Sequence, residues 1–154
     1  HGSSEAEHVL GITGLRRLIH TLARRVPAVR APREERVGIY SFRGGRATLG
    51  PMVHAIYAGF AGWRVELAEG VTPQDGIAAI KADPPDVLLC RVGRSADVKS
   101  ARAMQRVCGA KCFVIGSPID AAYLRRAAPR SSRILFDPRE TLDLLERLNR
   151  RQAH

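Results

Sequence analysis

Five short apolar runs, "RVGIYSF", "WRVELAEG", "DVLLCRV", "KCFVIG" and "SRILFD", alternate along this chain with five segments whose apolar residues recur at helical spacing. No other feature restricts the fold as much. Strands joined by crossover helices run parallel, and a parallel sheet needs helices over both faces to keep its apolar strands from water. Helices are expected over about 50–62, 73–82, 96–108, 118–128 and 138–151. The first should turn Val53, Ile56, Tyr57 and Phe60 to the core, with Pro51 in its first turn and Gly62 closing it. "DVLLCRV" is the most continuously apolar run and should be the central strand. The expectation is a flavodoxin-like α/β domain over 36–150, a five-stranded parallel sheet of order 2-1-3-4-5. Ahead of it, Leu15, Leu18, Ile19, Leu22 and Val26 mark an amphipathic helix, and "VPAVRAPREER" reads as a linker. Residues 5–35 are therefore an N-terminal helical appendage.

A chain of 154 residues, 45% of them hydrophobic, suffices for one such domain with a core of its own. It holds no uninterrupted apolar run of about eighteen residues and no secretory signal pattern, so a cytoplasmic protein without membrane contact is expected. Its three cysteines lack the paired spacing of a zinc site. Cys90 reads as a small buried hydrophobe. Cys108 and Cys112 flank a turn at the end of the sheet away from the ligand rim described next, and a redox role for them stays open.

In an open parallel sheet the ligand site lies beyond the C-terminal strand ends, where the strand order reverses. Here that point falls between the first and third strands, whose loops are "SFRGGRATLG" and "RVGRS". Arg43, Arg46, Arg91 and Arg94 are thereby brought to one rim. Gly44 and Gly45 allow close backbone approach, and the helix starting near Gly50 offers unpaired amides to an anion. An anion-accepting rim is the result. The loops after strands one, three and four supply Asp120 as their only carboxylate and no histidine, and no lysine-bearing phosphate loop is present. A phosphoacceptor receiver would want an aspartate where this chain has Arg91. These loops favour a binding or sensing module over an enzyme.

The stretch "GRATLGPMVHAIYAGFAGWRVELAEG", with "PPDVLLC" and "VIGSPI" further on, resembles the cobalamin-binding domains of methyltransferases, mutases and related regulators. Their signature is D-x-H-x-x-G after the first strand. The last glycine matches Gly50, and Gly116 stands where the family has a glycine-glycine turn. The aspartate falls on Gly45, the cobalt-ligating histidine on Ala47, and the serine after the third strand on Arg91. Histidine-on cobalamin binding is therefore not expected. One subgroup has this character, the sensors containing heme instead of cobalamin (SCHIC), and the chain is similar to that domain of AppA-type blue-light and redox antirepressors. The resemblance implies a regulatory module that contacts a transcriptional repressor of photosynthesis genes, with heme as a candidate ligand. The alternatives are a corrinoid carrier domain and a ligand-free interaction scaffold.

For heme the axial donor would be a neutral imidazole. His54, expected to be partly exposed beside the core-facing stripe and one turn from the glycine-rich loop, is the first candidate, and His20 on the appendage the second. The cofactor-binding set implied is Arg43, Gly44, Gly45, Arg46, Gly50, His54, Arg91 and Gly116, with His54 as the metal ligand. Charge gives a weaker indication. The net charge is +10, and 22 of the 25 basic residues are arginines, but they form no single run and aromatic residues make up only 5%. Direct DNA binding is therefore not the favoured reading.

Overall fold

The computed structural model describes residues 33–44, 49–108, 111–117, 120–127 and 133–152. The expected helix at 5–25, together with His20, Gly45, Arg46 and Ala47, lies outside the described residues. The chain runs β1 (Arg36–Phe42), α1 (Gly50–Phe60), β2 (Arg64–Val71), α2 (Pro73–Ala82), β3 (Val87–Arg91), α3 (Ser95–Cys108), β4 (Lys111–Ile115), α4 (Ala121–Ala127), β5 (Ile134–Leu135) and α5 (Pro138–Gln152). The strands form one all-parallel sheet in the order β2-β1-β3-β4-β5. This is the flavodoxin-like arrangement expected from the alternation.

Two apolar layers flank the sheet. On one face α1 and α5 cover Val37, Ile39, Val87, Leu89, Ile115 and Leu135, with Leu144, Leu145 and Leu148 supplied by α5. On the other, α2, α3 and α4 bury Ile80, Met104 and Leu124 against Tyr40, Leu88, Cys90 and Val114. Leu88, Leu89 and Cys90 of β3 are fully buried, as a central strand covered on both sides requires.

Chemistry at the helix ends fixes where the loops emerge. Thr72 caps α2 by accepting the amide of Asp75 at 3.1 Å. In α5 the N-cap Asp137 accepts the Arg139 amide at 2.8 Å while Glu140 reaches back to the amide of Asp137 at 3.0 Å, a capping box written in the sequence as "DPRE". The expected linker is tied down at its end: the Arg33 amide donates to Gly62 O at 2.9 Å, and the Arg33 guanidinium lies 5.6 Å from the centre of the Trp63 ring. At the N-terminal edge of the sheet Arg36 clamps the α2–β3 turn, with both guanidinium nitrogens 2.7 Å from the Asp83 carboxylate.

Candidate functional site

The C-terminal strand ends bring the loops after β1 and β3 together, and Arg94 fastens them. Its guanidinium donates to Arg43 O at 2.8 Å, across to the β1 loop, and to Asp97 Oδ1 at 2.8 Å. Asp97, in the first turn of α3, is 2% exposed. Its Oδ2 accepts the amides of Gly93 at 3.1 Å and Arg94 at 3.0 Å. The carboxylate thus spends its acceptors on the turn that follows β3. Sequence reasoning overlooked Asp97, although an acid at the third position of a helix is the pattern of an N3 residue capping backwards.

Gly44 completes the approach of the two loops. Its φ of +86° is one that side chains rarely adopt, and a Cβ there would meet Arg94 Nη1 at 2.7 Å. Arg43 is exposed, with its amide held by Val71 O at 2.9 Å.

Arg91 ends β3 at the point where the strand order reverses. It is half-buried, and its guanidinium is near enough that a Cβ on Gly93 would lie 3.5 Å from Nη2. Among the described residues it makes no hydrogen bond and no ion pair. Burial lowers its pKa from the usual guanidinium value, the charges of Asp97 and Asp120 oppose that shift, and Arg94 adds to it. A half-desolvated guanidinium keeps its positive charge and all five donors.

Two members of the expected set take other roles. His54 is 2% exposed rather than partly exposed, because α1 presents a different face to the core from the one expected. Its buried residues are Pro51, Met52, His54 and Ala58, while Val53, Ile56, Tyr57 and Phe60 are only half-buried. The side chains of Ala55, Ala58 and Ala61 are small enough to let the helix lie close on the sheet, so the bulkier residues flank the contact. His54 then meets α5, with Nδ1 2.6 Å from Oγ1 of the fully buried Thr141. Burial lowers its pKa to about 4, against the opposing charges of Asp137 and Glu140. A hydrogen bond at Nδ1 would suit a histidine that ligates through Nε2, but a ring 2% exposed between two helices presents no open face to a porphyrin and in this packing does not fit an axial heme ligand. Gly116 is a packing glycine. A Cβ on it would run into Leu124 Cδ1 and lie 3.2 Å from Phe136, so its bareness lets α4 close over β4.

Among the described residues no group of three or more histidine, cysteine or acidic side chains could hold a metal. Cys90 is buried as expected. It shares a hydrogen bond with Cys112 on the adjacent strand, which holds the Cys112 thiol below its ordinary pKa and, with burial, raises that of Cys90. No helix of the described residues is long and apolar enough to cross a membrane.

No protein-family model matches the sequence. No curated protein matches it either. Solved structures do resemble it. A cobalamin-binding protein from Desulfitobacterium hafniense superposes with a TM-score of 0.57 at 14% identity, covering 74% of this chain and 58% of that one. The monomethylamine corrinoid protein of Methanosarcina barkeri gives 0.54 at 11%, covering 74% of this chain and 57% of that one. A two-component transcriptional regulator AraC from Clostridium phytofermentans gives 0.55 at 17%, covering 79% of this chain and all of that one. The chain thus spans less than two thirds of either corrinoid protein. At these identities the likeness concerns the fold, which is cobalamin-binding-like and is shared with a regulatory domain.

Proposed function

We propose that this domain is a non-enzymatic regulatory module that keeps the cobalamin-binding-like fold but recognises a small oxyanion at the switch point. It acts by contacting a protein, and the resemblance to antirepressors makes a transcriptional repressor the partner. Arg91 carries the reading. A half-buried guanidinium with no carboxylate ion pair among the described residues, at the end of the central strand, is suited to bidentate recognition of a phosphate or carboxylate group. The neighbouring staple from Arg94 to Arg43 O spans both loops, so an anion seated on Arg91 would be felt on either side of the crevice. Where corrinoid domains carry the aspartate and histidine of their signature, this chain has Gly45 and Ala47, which offer no donor to cobalt. His54 has no part in ligand binding in this reading, and neither heme nor a corrinoid is assigned.

The test combines calorimetric titration with inorganic phosphate and absorbance titrations with aquacobalamin and hemin, on the wild-type chain and on Arg91→Gln. Phosphate should bind the wild type and roughly tenfold or more weakly the variant, since a charge-assisted hydrogen bond is lost. The spectra of both tetrapyrroles should show no saturable change. Equal phosphate affinity in the two proteins, or a saturable corrinoid spectrum, would overturn the proposal.

A further inference from the structure

The net charge is distributed very unevenly. Residues 98–136, about a quarter of the chain, hold eight of its 25 basic residues and one of its 15 acids, Asp120. They include α3 beyond its first turn, where Asp97 is engaged by Arg94, together with β4, α4 and β5, toward the β5 side of the sheet. On α3, Val98, Ala101, Met104 and Cys108 are buried, leaving Lys99, Arg102 and Arg106 on the outward stripe at i, i+3 and i+7. Lys111, Arg125 and Arg126 are exposed on β4 and α4. Among the described residues none of these six cations is in an ion pair. Arg33, Arg36, Arg94 and Arg139, by contrast, each pair with a carboxylate.

We infer that the outward face of α3 and α4 is a docking surface for an acidic protein surface. This rests on the reading of the domain as an interaction module and names the chemistry of its partner. Six exposed cations with no ion pair among the described residues give a field that speeds encounter with an acidic patch and orients it. Two of them are already steadied: Arg102 reaches Ala127 O at 3.5 Å, linking α3 to α4, and Arg106 reaches Arg102 O at 3.4 Å. Side chains held this way lose less freedom on binding.

A protein fits better than a nucleic acid. Val107, next to Arg106, is the exposed large hydrophobic among the described residues, and a phosphodiester backbone has nothing apolar to cover it. A protein interface places such a residue inside a polar rim rich in arginine. Neither α3 nor α4 carries an exposed aromatic ring on which a base could stack.

The closing experiment records backbone amide spectra of the isotope-labelled full chain during titration with an acidic amphipathic helical peptide, a leucine stripe flanked by glutamates. Polyglutamate and a short duplex DNA are the comparison probes. Peptide-induced shifts should cluster on α3 and α4. The double variant Arg102→Glu/Arg106→Glu should weaken the peptide at least about tenfold. Val107→Ser should weaken the peptide but leave polyglutamate unchanged. Shifts confined to the rim around Arg43 and Arg91, unchanged affinity in the double variant, no peptide binding, or tighter binding of the duplex at physiological ionic strength would each overturn the inference. Arg91→Gln leaves this face intact, so failure here and failure of the anion reading are told apart.

Discussion

His54 shows how little a histidine's position in a sequence says about its chemistry. Its place on α1, one turn from a glycine-rich loop, suits a ligand, and nothing local distinguishes that role from a packed one. The contact with Thr141, 87 residues along the chain, decides it, and only the docking of α5 on α1 creates that contact. The consequence is measurable as pH-dependent stability. Burial lowers the folded-state pKa to about 4, below the ordinary 6.5, so between these values the unfolded chain binds more protons than the folded one. Stability should therefore be greatest above pH 6.5 and fall through the window from 6.5 to 4, by about 3 kcal/mol in all. Chemical denaturation across that range would show the slope, and His54→Gln should remove it whatever the variant costs at neutral pH. An unchanged slope in the variant would assign it to other groups. Arg91 was legible as a rim residue, because an arginine directly after the central strand has to lie at the switch point. That it makes no ion pair among the described residues was not legible, since this depends on Asp97 being consumed by Arg94 and two backbone amides.

Among the elements, α1 is the instructive one. Its ends agree with the sequence: Pro51 stands in the first turn, and Gly62 closes it with a φ of +83°. The Gly62 amide donates to Gly59 O at 2.9 Å and the Trp63 amide to Ala58 O at 3.2 Å, the paired bonds of a Schellman motif. Ends are local chemistry and can be read from a few residues. The buried face is not local, and the helical spacing of apolar residues pointed to Val53, Ile56, Tyr57 and Phe60 where alanines make the contact. Replacing Gly62 by alanine should cost about 1–2 kcal/mol, the penalty for a Cβ in left-handed backbone. Urea unfolding of Gly62→Ala would measure it, and a loss near zero would mean that the turn relaxes out of the left-handed region.

For the whole molecule, the excess of positive charge on the α3–α4 side is stored repulsion. Carboxylates neutralise Arg33, Arg36, Arg94 and Arg139, but among the described residues none pairs the cations of α3 and α4. At low ionic strength the Debye length is comparable to the size of the domain, and it shrinks to about 8 Å at physiological salt. Sodium chloride should therefore raise the thermal midpoint, and Arg125→Gln should reduce that rise. A midpoint independent of salt would show that these cations are too far apart to repel. A search for runs misses this asymmetry, because the basic residues are interleaved with apolar ones and only the helical period gathers them on one face.

The sequence alone determined the order of elements, the parallel sheet and the end of it at which the arginine loops gather. Each follows from short-range periodicity and from the geometric rules for crossover connections. The tertiary structure decided which of those residues were left over for a ligand or partner. It placed His54 and Gly116 in packing, used Asp97 to hold Arg94, and left Arg91 and the α3–α4 cations without carboxylate partners among the described residues. Whether a side chain is spent or free depends on what lies within a few ångströms of it, and those neighbours come from distant parts of the chain.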